Sequence, residues 1–149
     1  QLGGTIKNVF AIGAGLCEGL NLGDNAQAAL LTRGLAEMTR IGVASGGRRE
    51  TFMGLSGVGD LIVTCYSRHS RNQTVGRRLA EGKSLQEILD ALGMVAEGVP
   101  NTLSVYEIAR KLGVRTPLID AVYSVLYESK PPMEALVELM TRDPRPELD

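Results

Sequence analysis

The sequence has no tryptophan, two phenylalanines and four tyrosines, so aromatic residues make up 4% of its 149 positions. A surface that stacks nucleobases needs more rings than that. Charge of one sign is not in surplus either: 16 lysines and arginines stand against 17 acids, for a net charge of −1. No broad positive field therefore draws the chain to nucleic acid. Cysteine occurs twice, at Cys17 and Cys65, and histidine once, at His69. A zinc site takes about four nitrogen or sulfur ligands. Two cysteines outside any C-x-x-C pair and one histidine do not supply them, so no metal site is expected. Both thiols read as free and buried, in a reducing compartment. No apolar run reaches the ~18 residues that a membrane span requires. No basic and then apolar segment opens the chain, which reads as cytoplasmic. Position 1 is Gln and not Met, which reads as a processed chain or a piece of a longer one.

What is present is a globular composition, 44% hydrophobic and 22% charged, long enough for one domain with its own core. Its apolar pattern has the helical period almost throughout, with no convincing alternating strands and no internal repeat. From Ala26 to Val43, residues Leu30, Leu31, Leu35, Met38 and Ile41 recur at spacings of three and four. Asp24 can cap this run and Gly46-Gly47 can end it. Ser84 and Glu87 form a capping box that opens a short helix stopping near Gly93. A further helix runs from Val99 to Leu112 and closes at Gly113. Pro117 starts the next, with Ile119, Val122, Val125 and Leu126 on its face, and Pro131-Pro132 opens the last. The spacing predicts a compact all-α, multi-helix domain over residues 1–142 and a frayed, proline-rich tail over 143–149.

One stretch resists this pattern. Asn8 to Gly15 resembles a strand entering a glycine turn, and G-A-G-L-C-E-G from Gly13 is one residue off a dinucleotide fingerprint. That fingerprint needs a βαβ unit around it, and no second strand follows. Ile6, Phe10, Gly13 or Ala14, Leu16 or Cys17, and Leu20 fit a helical stripe instead. Glycine inside a helix costs roughly 1 kcal/mol against alanine, which is tolerable where small residues let a neighbouring helix approach. The spacing favours one helix from about Gly4 to Leu20.

The polar residues leave alternatives open. Lys7, beside Asn8, reads either as a snorkelling side chain or as an ammonium acting as general acid and base. Asp60 follows the glycines at 54, 57 and 59. It reads either as the N-cap of a helix over Leu61–Tyr66 or as the holder of a cation in a pocket, with the glycines allowing close backbone approach. Ser70 can cap the helix that carries Val75 and Leu79. With Arg71 and Asn72 it forms either a solvated cap or an anion site suited to phosphate. Arg68, Arg71, Arg77 and Arg78 form a weak candidate patch for nucleic acid.

Taken in order, these segments resemble one family. The stretches are G-T-I-K-N-V from Gly4, G-L-N-L-G-D-N-A from Gly19, L-L-T-R-G-L-A-E-M from Leu30, E-T-F-M-G-L-S-G-V-G-D-L from Glu50, S-R-N at 70–72 and V-A-E-G from Val95. The chain resembles the C-terminal, substrate-binding domain of bacterial NAD(P)-dependent glycerol-3-phosphate dehydrogenases, an all-α domain of the 6-phosphogluconate-dehydrogenase-like type. The resemblance implies an N-terminal Rossmann domain, absent from these residues, as the partner within the same enzyme. It also implies NAD or NADP as cofactor, a small phosphorylated triose as substrate, and a homodimer as an open option. It gives Lys7 the role of general acid and base. Asn8, Asp60, Thr64, Ser70, Arg71 and Asn72 then become substrate-site positions, and Arg71, Val95 and Glu97 cofactor contacts. It gives His69 no role. These residues alone are expected to be inactive. The competing class is a stand-alone helical interaction module, in which Lys7, Asp60 and Arg71 need not converge.

Overall fold

The computed structural model describes residues 2–67 and 69–141. The expected tail over 143–149 and Arg68 lie outside them. Regular structure among the described residues is helical: α1 (Leu2–Gly19), α2 (Asp24–Ala44), α3 (Arg49–Met53), α4 (Leu55–Tyr66), α5 (Arg71–Ala80), α6 (Leu85–Leu92), α7 (Gly98–Leu112), α8 (Pro117–Tyr127) and α9 (Pro132–Met140).

The first helix is the axis of the fold. From Val9 to Cys17 every residue is buried, because α2, α4, α5, α7 and α8 all pack around it. A helix that is apolar on every side is stable only when covered on every side. The small residues of G-A-G-L-C-E-G make room for these neighbours. A Cβ on Gly15 would lie 2.1 Å from the Gln73 carbonyl oxygen, and one on Gly76 would lie 2.1 Å from that of Ile12. Helices α1 and α5 therefore cross backbone to backbone. The glycines serve helix packing, and the helical reading of this stretch holds.

Several short-range signals set helix ends where the sequence predicts them. Ser84 and Glu87 make both bonds of the capping box, and Gly93 ends α6 with φ +63°. Gly113 ends α7 with φ +67°. Pro117 occupies the first turn of α8, and Ser70 Oγ accepts from the Gln73 N–H. Two readings need correction. Asp24 does not cap α2; Gly23 holds that position with φ +85°, and Asp24 is the first helical residue, where its charge still favours the positive helix end. Asp60 does not cap a helix over Leu61–Tyr66. Helix α4 already begins at Leu55, so Asp60 lies in mid-helix and Gly57 and Gly59 are helical residues. Gly57 does permit a close approach, since its Cβ would meet the Phe52 carbonyl oxygen at 2.7 Å, whereas around Gly59 nothing lies within 4 Å.

A buried carboxylate joins α2 to α8. Pro117 has no N–H, so the first backbone donors of α8 are Leu118 and Ile119. Both donate to the fully buried Glu37, at 2.6 Å and 3.0 Å. Burial pushes the Glu37 carboxyl up to about 8, against the pull of these two N–H groups and of Arg40. The folded chain thus holds this proton more tightly than the unfolded chain, whose carboxyl titrates near 4.5. The stabilisation from Glu37 is complete below that value, declines as pH rises and is lost above about 8. Urea unfolding between about pH 5 and 8 is expected to show stability declining more steeply for the native chain than for Glu37→Gln. Parallel profiles would remove Glu37 as the titrating group.

Candidate active site

Lys7 lies in the second turn of α1, just before the fully covered stretch begins. Its side chain is 16% exposed, and its ammonium pairs with Asp60 Oδ2 on α4. Asp60 keeps 59% of its side chain exposed, so the pair has a packed side and an open side. Thr64, one turn further along α4, shares the Asp60 face. Its hydroxyl donates back to the Asp60 carbonyl at 2.8 Å, which occupies its proton within its own helix.

A second line of contacts starts at Asn8. A Cβ on Gly98 would lie 2.8 Å from the Asn8 carbonyl oxygen and 2.7 Å from Asn72 Oδ1. The Gly98 N–H donates to that Oδ1 at 2.8 Å, which leaves the Asn72 amide nitrogen as a donor. On the same turn of α5, Arg71 Nε donates to the Val95 carbonyl at 2.8 Å, and one Nη reaches Met94 Sδ at 3.8 Å. The other Nη has no partner among the described residues. Ser70 closes the N-terminus of α5, His69 is exposed beside it, and Glu97 is exposed at the start of α7 without a capping bond.

The structure therefore brings Lys7, Asp60 and Thr64 into one group and Asn8, Asn72, Arg71 and Val95 into another, starting at consecutive positions of α1, while the side chains of Ser70 and Glu97 bond to neither. Lys7 leads to Asp60 and Thr64; Asn8 leads through Gly98 to Asn72 and then to Arg71 and Val95. Three contributors went unassigned in the sequence. Gly98 belongs to the V-A-E-G stretch and opens a helix, where glycine is costly; that cost was the available signal of a close approach. Met94 and the buried Gln73 gave no signal. Gln73 bonds the Cys65 carbonyl at 3.0 Å, Glu18 at 3.2 Å and Arg77 at 2.7 Å, tying α1, α4 and α5 together.

Of the four arginines at 68, 71, 77 and 78, Arg68 lies outside the described residues and Arg71 is bonded to Val95. Arg77 is committed to Gln73 and, at 3.0 Å, to Thr74 within α5. Cys17 and Cys65 are free and buried, and burial pushes their thiols up to about 11 and about 12. No group of three or more His, Cys, Asp or Glu suited to a metal occurs among the described residues. No described helix is long and apolar enough to cross a membrane.

The fold and site define an all-helical domain presenting an amine–carboxylate pair on α1 and α4 and, at the start of α5, an arginine bonded to the Val95 carbonyl. The sequence profile described as the C-terminus of NAD-dependent glycerol-3-phosphate dehydrogenase matches residues 1–137, and the chain belongs to that family. It is 54% identical over its whole length to a glycerol-3-phosphate dehydrogenase [NAD(P)+] of Syntrophotalea carbinolica, of which it covers 45%. It is 56% identical over 143 residues to the enzyme of that name from a Geobacter species, covering 43% of it. The crystal structure of glycerol-3-phosphate dehydrogenase from Coxiella burnetii superimposes with a TM-score of 0.90 at 44% identity, over 95% of this chain and 44% of that one. The chain thus spans somewhat less than half the length of these relatives, and the segment they share with it is their C-terminal domain.

Proposed function

We propose that this chain is the substrate-binding and proton-transfer part of an enzyme that interconverts sn-glycerol 3-phosphate and dihydroxyacetone phosphate with NAD or NADP. The observation that carries the reading is the contact between the Lys7 ammonium and the Asp60 carboxylate, made across 53 residues of sequence. When bound, the nicotinamide supplies or accepts the hydride. In the oxidative direction the amine of Lys7 takes the proton of the C2 hydroxyl. In the reductive direction the ammonium returns it to the carbonyl oxygen. Asp60 orients the Lys7 side chain and stabilises its charged form. Arg71, with one Nη unused, and the Asn72 amide nitrogen offer donors to anionic oxygens beside the N-terminus of α5.

The residues assigned to the cofactor fit that role. Arg71 grips the Val95 carbonyl, and Glu97 is exposed two positions on. No strand occurs among the described residues, so most of the dinucleotide surface belongs to the N-terminal domain that the resemblance implies, in a cytoplasmic enzyme. The chain by itself is expected not to reduce dihydroxyacetone phosphate. Convergence of Lys7 and Asp60 argues against the interaction-module reading, which needs no such contact.

Asp60→Asn in the full-length enzyme tests this account. Asparagine keeps the shape but removes the negative charge that steadies the ammonium. We expect kcat/KM to fall roughly tenfold to a thousandfold and the pH–rate profile to move. Stability should change by less than about 1 kcal/mol, since an exposed ion pair contributes little to folding. Unaltered kcat/KM together with an unmoved pH profile would sink the role given to Asp60.

A further inference from the structure

Helices α2 and α7 both end at a cavity that shares no lining residue with the Lys7–Asp60 site. Its volume is about 420 Å³, and Arg40, Val43, Ala44, Arg49, Gly113, Val114 and Arg115 line it. This volume falls within the roughly 300–1,000 Å³ of small-molecule sites. Three elements each bring one guanidinium: α2 brings Arg40, α3 brings Arg49, and the α7–α8 connection brings Arg115. Among the described residues, no carboxylate lines the cavity. Two helix C-termini, at Ala44 and at Gly113, face it with about half a negative charge each. The guanidiniums of Arg49 and Arg115 by themselves exceed that, so the described lining is positive on balance.

The arrangement is also partly preorganised. Arg40 Nε donates to the Arg115 carbonyl at 2.9 Å, which fixes both the Arg40 guanidinium and the connection that carries Arg115. The side chains of Arg49 and Arg115 make no hydrogen bond or ion pair among the described residues. The cavity lined by Lys130, Asp120 and Glu138 differs, because its lysine pairs with Glu138.

We propose that this cavity is a second anion site, which takes a phosphomonoester carrying a short apolar body. A phosphate dianion offers several oxygens to guanidiniums arriving from different directions, whereas a carboxylate is matched by a single fork. Val43, Ala44 and Val114 supply an apolar wall for the ester group. The inference stands independently of the activity assigned above.

The intact protein titrated with n-butyl phosphate, and separately with inorganic phosphate, tests it by calorimetry and by methyl NMR of the Val43, Ala44 and Val114 signals. We expect saturable binding, with butyl phosphate at least threefold tighter than inorganic phosphate. The double variant Arg49→Ala/Arg115→Ala should weaken it at least tenfold, and Arg49→Lys/Arg115→Lys, which keeps the charges but not the forks, should weaken it less. Arg71→Ala should leave these methyl shifts unchanged, which separates this cavity from the proposed substrate site. No saturable shift at these methyls, or the same affinity in both double variants as in the native protein, would mean solvated guanidiniums only and overturn the site. Equal affinity for the two phosphates would overturn the apolar part of the assignment.

Discussion

Lys7→Ala in the full-length enzyme is expected to lower kcat by roughly a hundredfold to ten-thousandfold, the range a positioned general acid or base contributes, with a much smaller change in KM. The argument rests on position. The Lys7 side chain is only 16% exposed, and its ammonium pairs with Asp60, whose side chain is 59% exposed. Removing the side chain takes away the proton-transfer group and leaves the donors of Arg71 and Asn72 in place for binding. Lys7→Arg sharpens the test. A guanidinium keeps the positive charge and can pair with Asp60, but it does not lose its proton in a protein. It should therefore restore little turnover. If charge alone mattered, Lys7→Arg would be nearly as active as the native enzyme. Near-normal turnover in Lys7→Ala would remove Lys7 from the mechanism altogether.

Gly76→Ala is expected to destabilise the fold by about 3 kcal/mol or more, beyond the usual range for overpacking. The added methyl would lie 2.1 Å from the Ile12 carbonyl oxygen and 2.7 Å from the Leu16 backbone nitrogen. Both are backbone atoms of the central helix, so no rotamer change relieves the clash; α5 must move away from α1. That movement would also drag Gln73, Asn72 and Arg71, all on α5, and so disturb the site. Against a total stability of ~5–15 kcal/mol the loss is large. Gly59→Ala is the control. It is equally a glycine within a helix, but nothing lies within 4 Å of its Cβ position, so alanine should be neutral or stabilising by up to about 1 kcal/mol. Urea unfolding of both variants decides the matter. A Gly76→Ala protein as stable as the native chain would contradict the backbone-to-backbone crossing.

The contrast between these two glycines shows where sequence reading stops. Both are single glycines in helical segments, and nothing in their neighbours distinguishes them. One touches another backbone and the other faces open space, because only one is on the face of its helix that meets α1. Asp60 illustrates the same limit. After three glycines it resembles a cap following a loop, yet α4 runs through the last two of them, since Gly57 allows the chain to close against Phe52. Intrinsic propensity disfavoured that helix, and packing overrode it.

The one-dimensional pattern was enough for the all-helical class and for most helix ends. It was enough as well for the family resemblance that singled out Lys7, Asp60 and Arg71. Capping boxes, proline starts and glycine stops act over three or four residues, so they are written where they operate. The pairings that make the molecule work join residues far apart in the chain: Lys7 with Asp60, 53 positions away, Arg71 with Val95, 24 away, and Glu37 with Leu118, 81 away. Tertiary structure alone decided these, because each depends on which faces of which helices meet around α1. That choice is made by burial and shape complementarity summed over the whole core.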